Sequence, residues 1–165
     1  MVFEICFPAQ TQLNGKESGS FYRDAFVVTV NQSDLPAKYV YHSIFAYLPD
    51  SVQRLMKIRN AIVKYLGFSA SNSTMALAYE DICVGNKAGF LTIENLSDTE
   101  LVCAAYEKNM DMWISVLKVK DDQFVISTLV NLKTKTGKVY MACIVPFHKL
   151  IAKHCIKQAL KAGRL

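Results

Sequence analysis

The chain has 165 residues, is 52% hydrophobic and 20% charged, and carries a net charge of +5. That balance is that of a globular chain and not of a disordered one, and no repeat or low-complexity tract is present; the length suits one domain, residues 1–165, with a sizeable core. No uninterrupted apolar run approaches the ~18 residues of a membrane span, and the opening MVFEICFPAQ, with Glu4 and Pro8, lacks the basic-then-apolar order of a secretory leader.

Residues 1–20 read as an arm. Residues 3–7 can add a short strand, but Pro8 and the polar run after it predict a wandering surface segment. The aromatic and β-branched stretch from Tyr22 to Val30 predicts a strand. Asp34 and Pro36 then give a helix-start signal, with Asp34 as the cap, for a helix to about Tyr47 that places Val40, Ile44 and Leu48 on one side. Pro49 and Asp50 separate it from a second helix over Ser51–Leu66, closed by Gly67. Phe68–Ala88 has no clear period, although Met75–Val84 fits either a short strand or a helical turn.

From Gly89 the period changes to that of strands. Phe90–Leu96, Glu100–Glu107, Met110–Val119 and Gln123–Leu132 are separated by links so short that neighbours must be antiparallel. Met110, Met112, Ile114 and Val116, with Phe124, Ile126, Thr128, Val130 and Leu132, form the more apolar face and should look toward the core. Trp113 and Leu117, with Val125 and Leu129, fall on the other face. An apolar patch there points either to a two-fold homodimer or to the N-terminal arm, with Phe3, Ile5 and Phe7, folding over it.

The last stretch predicts a long amphipathic helix from Phe147 on. Val139–Val145 either extends that helix backward, with Pro146 inside it, or forms a buried strand. Lys149, Lys153, Lys157 and Lys161 recur every four residues as one polar stripe, while Phe147, Leu150, Ile151, Cys155 and Ile156 fill the other side. The resulting fold class is α+β: a curved antiparallel sheet wrapped around a long C-terminal helix, with two short consecutive helices after the first strand. The C-terminal helix should be the most buried one, packed on Met112, Ile114, Ile126 and Thr128.

From Lys133 onward there are eight basic residues and no acid, so the remainder carries a net −3. A basic face of this kind meets phosphate or an anionic surface, or is a solvated helix face favoured by the helix dipole. The tyrosines and phenylalanines do not alternate with the basic residues, so no specific nucleic acid is expected. Five cysteines, an odd number without a CxxC pair, predict free thiols in a reducing, cytoplasmic compartment, and His42, His148 and His154 supply no metal-ligand spacing. No cofactor is expected: the chain has no Walker loop, G-x-G-x-x-G run, H-E-x-x-H or Ser-His-Asp order.

Three runs carry a family resemblance: Asp24-Ala25-Phe26-Val27-Val28; Pro49 to Gly67; and Gly137-Lys138-Val139-Tyr140 with Pro146-Phe147-His148-Lys149-Leu150-Ile151. With the element order, they make the chain similar to the START-like (SRPBCC, helix-grip) superfamily, and within it to an uncharacterised bacterial family of single-domain proteins. The resemblance spans most of residues 22–160. Where that family enters a strand through a histidine, this chain has Asn109. The resemblance implies binding of an apolar small molecule between sheet and long helix, with a minority of relatives acting as cyclases or hydrolases.

The candidate pocket therefore comprises Met112, Ile114, Ile126, Thr128, Tyr140, Ile144, Phe147 and Ile151. His148, Tyr140 and Asp111 are the polar candidates for catalysis, each with a packing role as the alternative. Asp24 and Arg59 are charges set in apolar runs, readable as an ion pair between the first strand and the second helix or as two unrelated surface charges. Three functions follow as expectations. One is a non-enzymatic binder of an apolar or amphipathic molecule, the second an enzyme of cyclase, dehydratase or hydrolase type using the same pocket, and the third an interaction module with a filled core.

Overall fold

A computed structural model of the chain describes residues 1–65 and 76–165, apart from the side chains of Arg59, Ile62 and Val63. Seven antiparallel strands form one sheet: β1 (Val2–Glu4), β2 (Ser20–Thr29), β3 (Lys87–Ala88), β4 (Leu91–Leu96), β5 (Glu100–Tyr106), β6 (Met110–Lys120) and β7 (Gln123–Leu132), in the order β1-β2-β7-β6-β5-β4-β3. Two helices, α1 (Ala37–Phe45) and α2 (Asp50–Tyr65), follow β2, and the long α3 (Lys135–Lys161) closes the chain. The fold is the curved α+β arrangement expected.

The meander β4–β7 pairs neighbour to neighbour because its turns are too short for a crossover. β2 returns to the free edge of β7, with Asp24 opposite Thr128 and Phe26 opposite Ile126. The alternation read in β6 and β7 holds. Ile114, Val116, Phe124 and Ile126 join Phe26 and Val28 in the core under the helices, while Trp113 and Leu129 join Val102 and Ala104 on the opposite face.

That opposite face is covered within the chain. Phe7 and Leu13 of the arm pack on Trp113 and Leu129, and Trp113, Leu117, Val125 and Leu129 are all buried. The arm is held by a buried carboxylate. Glu100 accepts hydrogen bonds from Thr11 Oγ1 at 2.6 Å, Ser115 Oγ at 2.5 Å and the Gln12 backbone N–H at 3.0 Å. The arm thus covers this face, through Phe7 and Leu13, while Phe3 and Ile5, also expected there, are exposed. The strand expected within residues 3–7 forms as Val2–Glu4, and the run from Pro8 on, expected to wander, is instead docked, because Glu100 gives Thr11 and Gln12 a fixed partner.

Other expectations change at the helix starts. Asp34 does not cap α1. It has φ of 62°, a left-handed turn, and its carboxylate meets Lys118 at 2.6 Å, while Pro36 takes the cap position with no side-chain cap. The expected stop at Gly67 and residues 68–75 lie outside the described residues, and 76–84, where a short strand or a helical turn was expected, form neither but run as irregular chain with turns. The two-residue β3, within the stretch that showed no period, adds the edge strand.

Residues 139–145 are helical, so α3 is continuous through Pro146. Proline removes the hydrogen bond to the carbonyl of Ala142, but both residues are exposed, so water replaces the lost donor. Thr134 caps the start by accepting from the Gly137 N–H at 3.1 Å and donates to Asn109 Oδ1 at 2.9 Å. A β-carbon at position 137 would lie 2.5 Å from the Asn109 carbonyl oxygen, so only glycine lets α3 start this close to the β5–β6 turn.

α3 is not the most buried helix. Five of nine α1 residues are buried, against six of twenty-seven in α3. α1 packs against β5, β6 and α3, whereas α3 rests one face on β1, β2 and β7 and leaves the other to solvent. Phe147, expected to face the sheet, is 56% exposed. Replacing it with alanine is accordingly expected to cost under about 1 kcal/mol rather than the ~3–5 of a buried aromatic, as read by urea unfolding.

Candidate functional site

The polar groups at the sheet–helix junction converge on Asp24. In β2, Tyr22, Asp24 and Phe26 alternate onto the face under α3, and pairing with β7 brings Thr128 beside Asp24. α3 crosses above them and lowers His148 onto the carboxylate. Tyr22 Oη donates to Asp24 Oδ2 at 2.6 Å, and His148 Nε2 lies 3.3 Å from the same oxygen and 3.2 Å from Thr128 Oγ1. The Tyr22 and His148 rings meet edge to face with centroids 6.1 Å apart.

Asp24 is only 6% exposed, whereas His148 is half-buried and faces the edge of the junction. Burial pushes the Asp24 carboxyl up, but the hydrogen bond and charge of His148 and the hydroxyls of Tyr22 and Thr128 outweigh it and hold the group below its ordinary value. Burial and the neighbouring Asp24 push the Tyr22 phenol far up, so it stays a donor. Asp24 Oδ1 is buried and has no hydrogen-bond partner. An acceptor in that state is uncommon in native proteins and can take one further donor.

Apolar residues flank the cluster. Tyr140, Met141, Met110 and Val130 pack together with Met112 and Ile144 at one end. Ile114, Ile126, Cys155 and Ile156, with Ile151, form the larger core at the other. Of the eight pocket residues expected from sequence, seven thus lie at the junction, and Phe147 points away. Of the polar candidates, His148 is in the cluster and Tyr140 is buried beside it, while Asp111 is on the opposite sheet face, 2.6 Å from Lys133 Nζ.

The expected Asp24–Arg59 pair cannot be placed, since the Arg59 side chain lies outside the described residues; the partners seen at Asp24 are His148, Tyr22 and Thr128. Sequence reasoning missed Tyr22 as a site residue, although its spacing of two from Asp24 put both on one face.

Neither buried thiol is placed for nucleophilic work. Burial pushes Cys103 up to about 12 and Cys155 up to about 11. All five cysteines are unpaired, with Cys6, Cys83 and Cys143 exposed. A thiol reagent is expected to count five groups in denatured, unreduced protein and to label those three fast and the other two slowly in the native state; a count of three or one would contradict this. Among the described residues no group of three or more His, Cys, Asp or Glu could hold a metal ion.

A family model described as a protein of unknown function (DUF2867) matches residues 18–155. The chain belongs to the DUF2867 family. The match takes in β2 with Asp24, the meander and α3 as far as Cys155, so the whole polar cluster of this DUF2867 member lies inside it. No curated protein matches the chain. Among solved structures, the hypothetical protein jhp0584 from Helicobacter pylori is similar at 18% identity over 88% of each chain, with a TM-score of 0.37.

Proposed function

We propose that this DUF2867 member binds an amphipathic small molecule at the junction of β2, β7 and α3. The molecule's polar end would carry a hydroxyl or amino donor for Asp24. The observation that carries the reading is Asp24 Oδ1, a buried acceptor left without a partner beside an oxygen that already meets Tyr22 and His148. The apolar clusters on either side would take the rest of the ligand, since small-molecule sites combine an apolar lining with a few fixed polar groups. Membership of the START-like superfamily is part of the same proposal, supported by the element order and by the site's place between sheet and long helix. A cytoplasmic setting accords with five unpaired cysteines.

A second reading, an enzyme of hydrolase or cyclase type, is favoured by one contact. With Nε2 of His148 at Asp24, the other ring nitrogen is the candidate base, and a buried carboxylate behind a histidine is the arrangement that fixes its tautomer. Binding is preferred because the hydroxyl beside that ring, Thr128 Oγ1, sits at Nε2 with Asp24 and not at the nitrogen left to act as base.

The test is native mass spectrometry of the protein after exposure to a lipid extract, repeated with Asp24→Asn. A defined small-molecule adduct with the wild type, lost in Asp24→Asn, is expected. No adduct, or one indifferent to Asp24, would contradict the proposal.

A further inference from the structure

The outward side of α3 is a single ridge with two chemistries. Lys135, Val139, Cys143, Pro146, Leu150, Lys153, Lys157 and Lys161 follow one another at spacings of three or four, and therefore share one face. Its middle is apolar and open to solvent: Val139 is 62% and Leu150 68% exposed, Phe147 lies on its flank, and Cys143 and Pro146 are exposed. Its ends are lysine. Lys135 stands one turn before Val139, and Lys157 and Lys161 are exposed beyond Leu150. Among the described residues Glu4 is the one acid that meets lysines of this helix, at Lys149 and Lys153, and Lys135, Lys138, Lys157 and Lys161 form no ion pair there.

By length and composition α3 could cross a bilayer, yet its other side packs Tyr140, Met141, Ile156 and Ala159 into the fold, so it cannot leave the sheet to do so. A core helix of that composition would be mostly buried; only 22% of its most apolar 18-residue window is. We infer that this ridge rests on an anionic membrane surface. The apolar middle, about 16 Å long at 1.5 Å per residue, would enter the headgroup boundary while the lysines at both ends meet lipid phosphates.

Charge decides against a second copy of the chain as the occupant. Two such ridges laid antiparallel set Lys135 against Lys161, and laid parallel set each lysine against its own counterpart, so either pairing brings like charges together. An anionic bilayer complements both parts of the ridge at once.

The experiment is co-sedimentation of the full-length chain with vesicles of phosphatidylcholine alone and with half of that lipid replaced by phosphatidylglycerol. Binding is expected only to the anionic vesicles and should weaken as salt rises. Leu150→Asp, and separately the pair Lys157→Glu and Lys161→Glu, should each lower the bound-to-free ratio about tenfold or more. These positions are exposed, so an unchanged thermal melt verifies that each variant is folded. Absence of binding, equal binding to neutral vesicles, or binding indifferent to both variants would overturn the inference. So would sedimentation equilibrium showing a dimer broken by Leu150→Asp without vesicle binding, which would give the ridge to a second copy.

Discussion

Replacing Glu100 with alanine is expected to destabilise the chain by about 3 kcal/mol, the largest loss at any position discussed, and to free the N-terminal arm. Glu100 is buried, and its carboxylate gathers the Thr11 and Ser115 hydroxyls and the Gln12 N–H. Hydrogen bonds to a charged group contribute about 1.5–3 kcal/mol each before rearrangement, and truncation strands several donors at once. Part of the loss is recovered, because Thr11 and Ser115 are already 3.4 Å apart and can bond to each other. The arm also covers Trp113, so its release should shift tryptophan emission to the red in the folded state. Glu100→Gln keeps an acceptor of the same shape and should cost about half as much. Unchanged emission and a loss under about 1 kcal/mol in Glu100→Ala would show that apolar contacts alone dock the arm.

His148→Ala is expected to cost about 2–3 kcal/mol at neutral pH, because it leaves the buried Asp24 carboxylate with only the hydroxyls of Tyr22 and Thr128. The loss should depend on pH in a fixed direction. Asp24 has a folded pKa below its ordinary 3.8, so the stability it contributes is fully present above that ordinary value. It fades as pH falls below it and through the lowered folded value. Removing His148 removes the largest influence that lowers the carboxyl, and burial then pushes it up. Acid unfolding of the variant should therefore begin at higher pH than in the wild type. Urea midpoints between neutral and acidic pH would read this. Parallel curves for the two proteins would mean that His148 and Asp24 are not coupled.

These two positions also mark where the sequence was readable and where it was not. Strict alternation in β6 and β7 made the inner face of the meander legible, because one residue of slip would have turned Ile114 and Ile126 to the wrong side. The two consecutive helices were legible from Pro49 and the spacing of apolar residues on each side of it. α3 was harder. Residues 139–147 are apolar almost all round and give no phase of their own, so the lysine stripe from Lys149 on set it, and Phe147 and Leu150 were placed toward the sheet although both face solvent.

The partners of Asp24 were illegible for a different reason. Its β2 register with Thr128 and the crossing of α3 that brings His148 to it are tertiary facts with no local signal. Arg59 looked suitable only because it was another charge among apolar neighbours. The docking of the arm was hidden in the same way, since the acceptor at Glu100 is 89 residues from Thr11 and polar loops carry no period.

The central claim is that Asp24 and His148 form the polar end of a ligand site, and the ring nitrogens of His148 report on it most directly. A long-range 1H–15N correlation spectrum of the labelled protein would be recorded while a medium-chain aliphatic alcohol or amine is added. The account predicts saturable shifts at His148, with His42 and His154 unmoved, and their disappearance in Asp24→Asn at unchanged fold. Shifts of equal size at all three histidines, or none at His148 while the ligand demonstrably binds elsewhere, would contradict it.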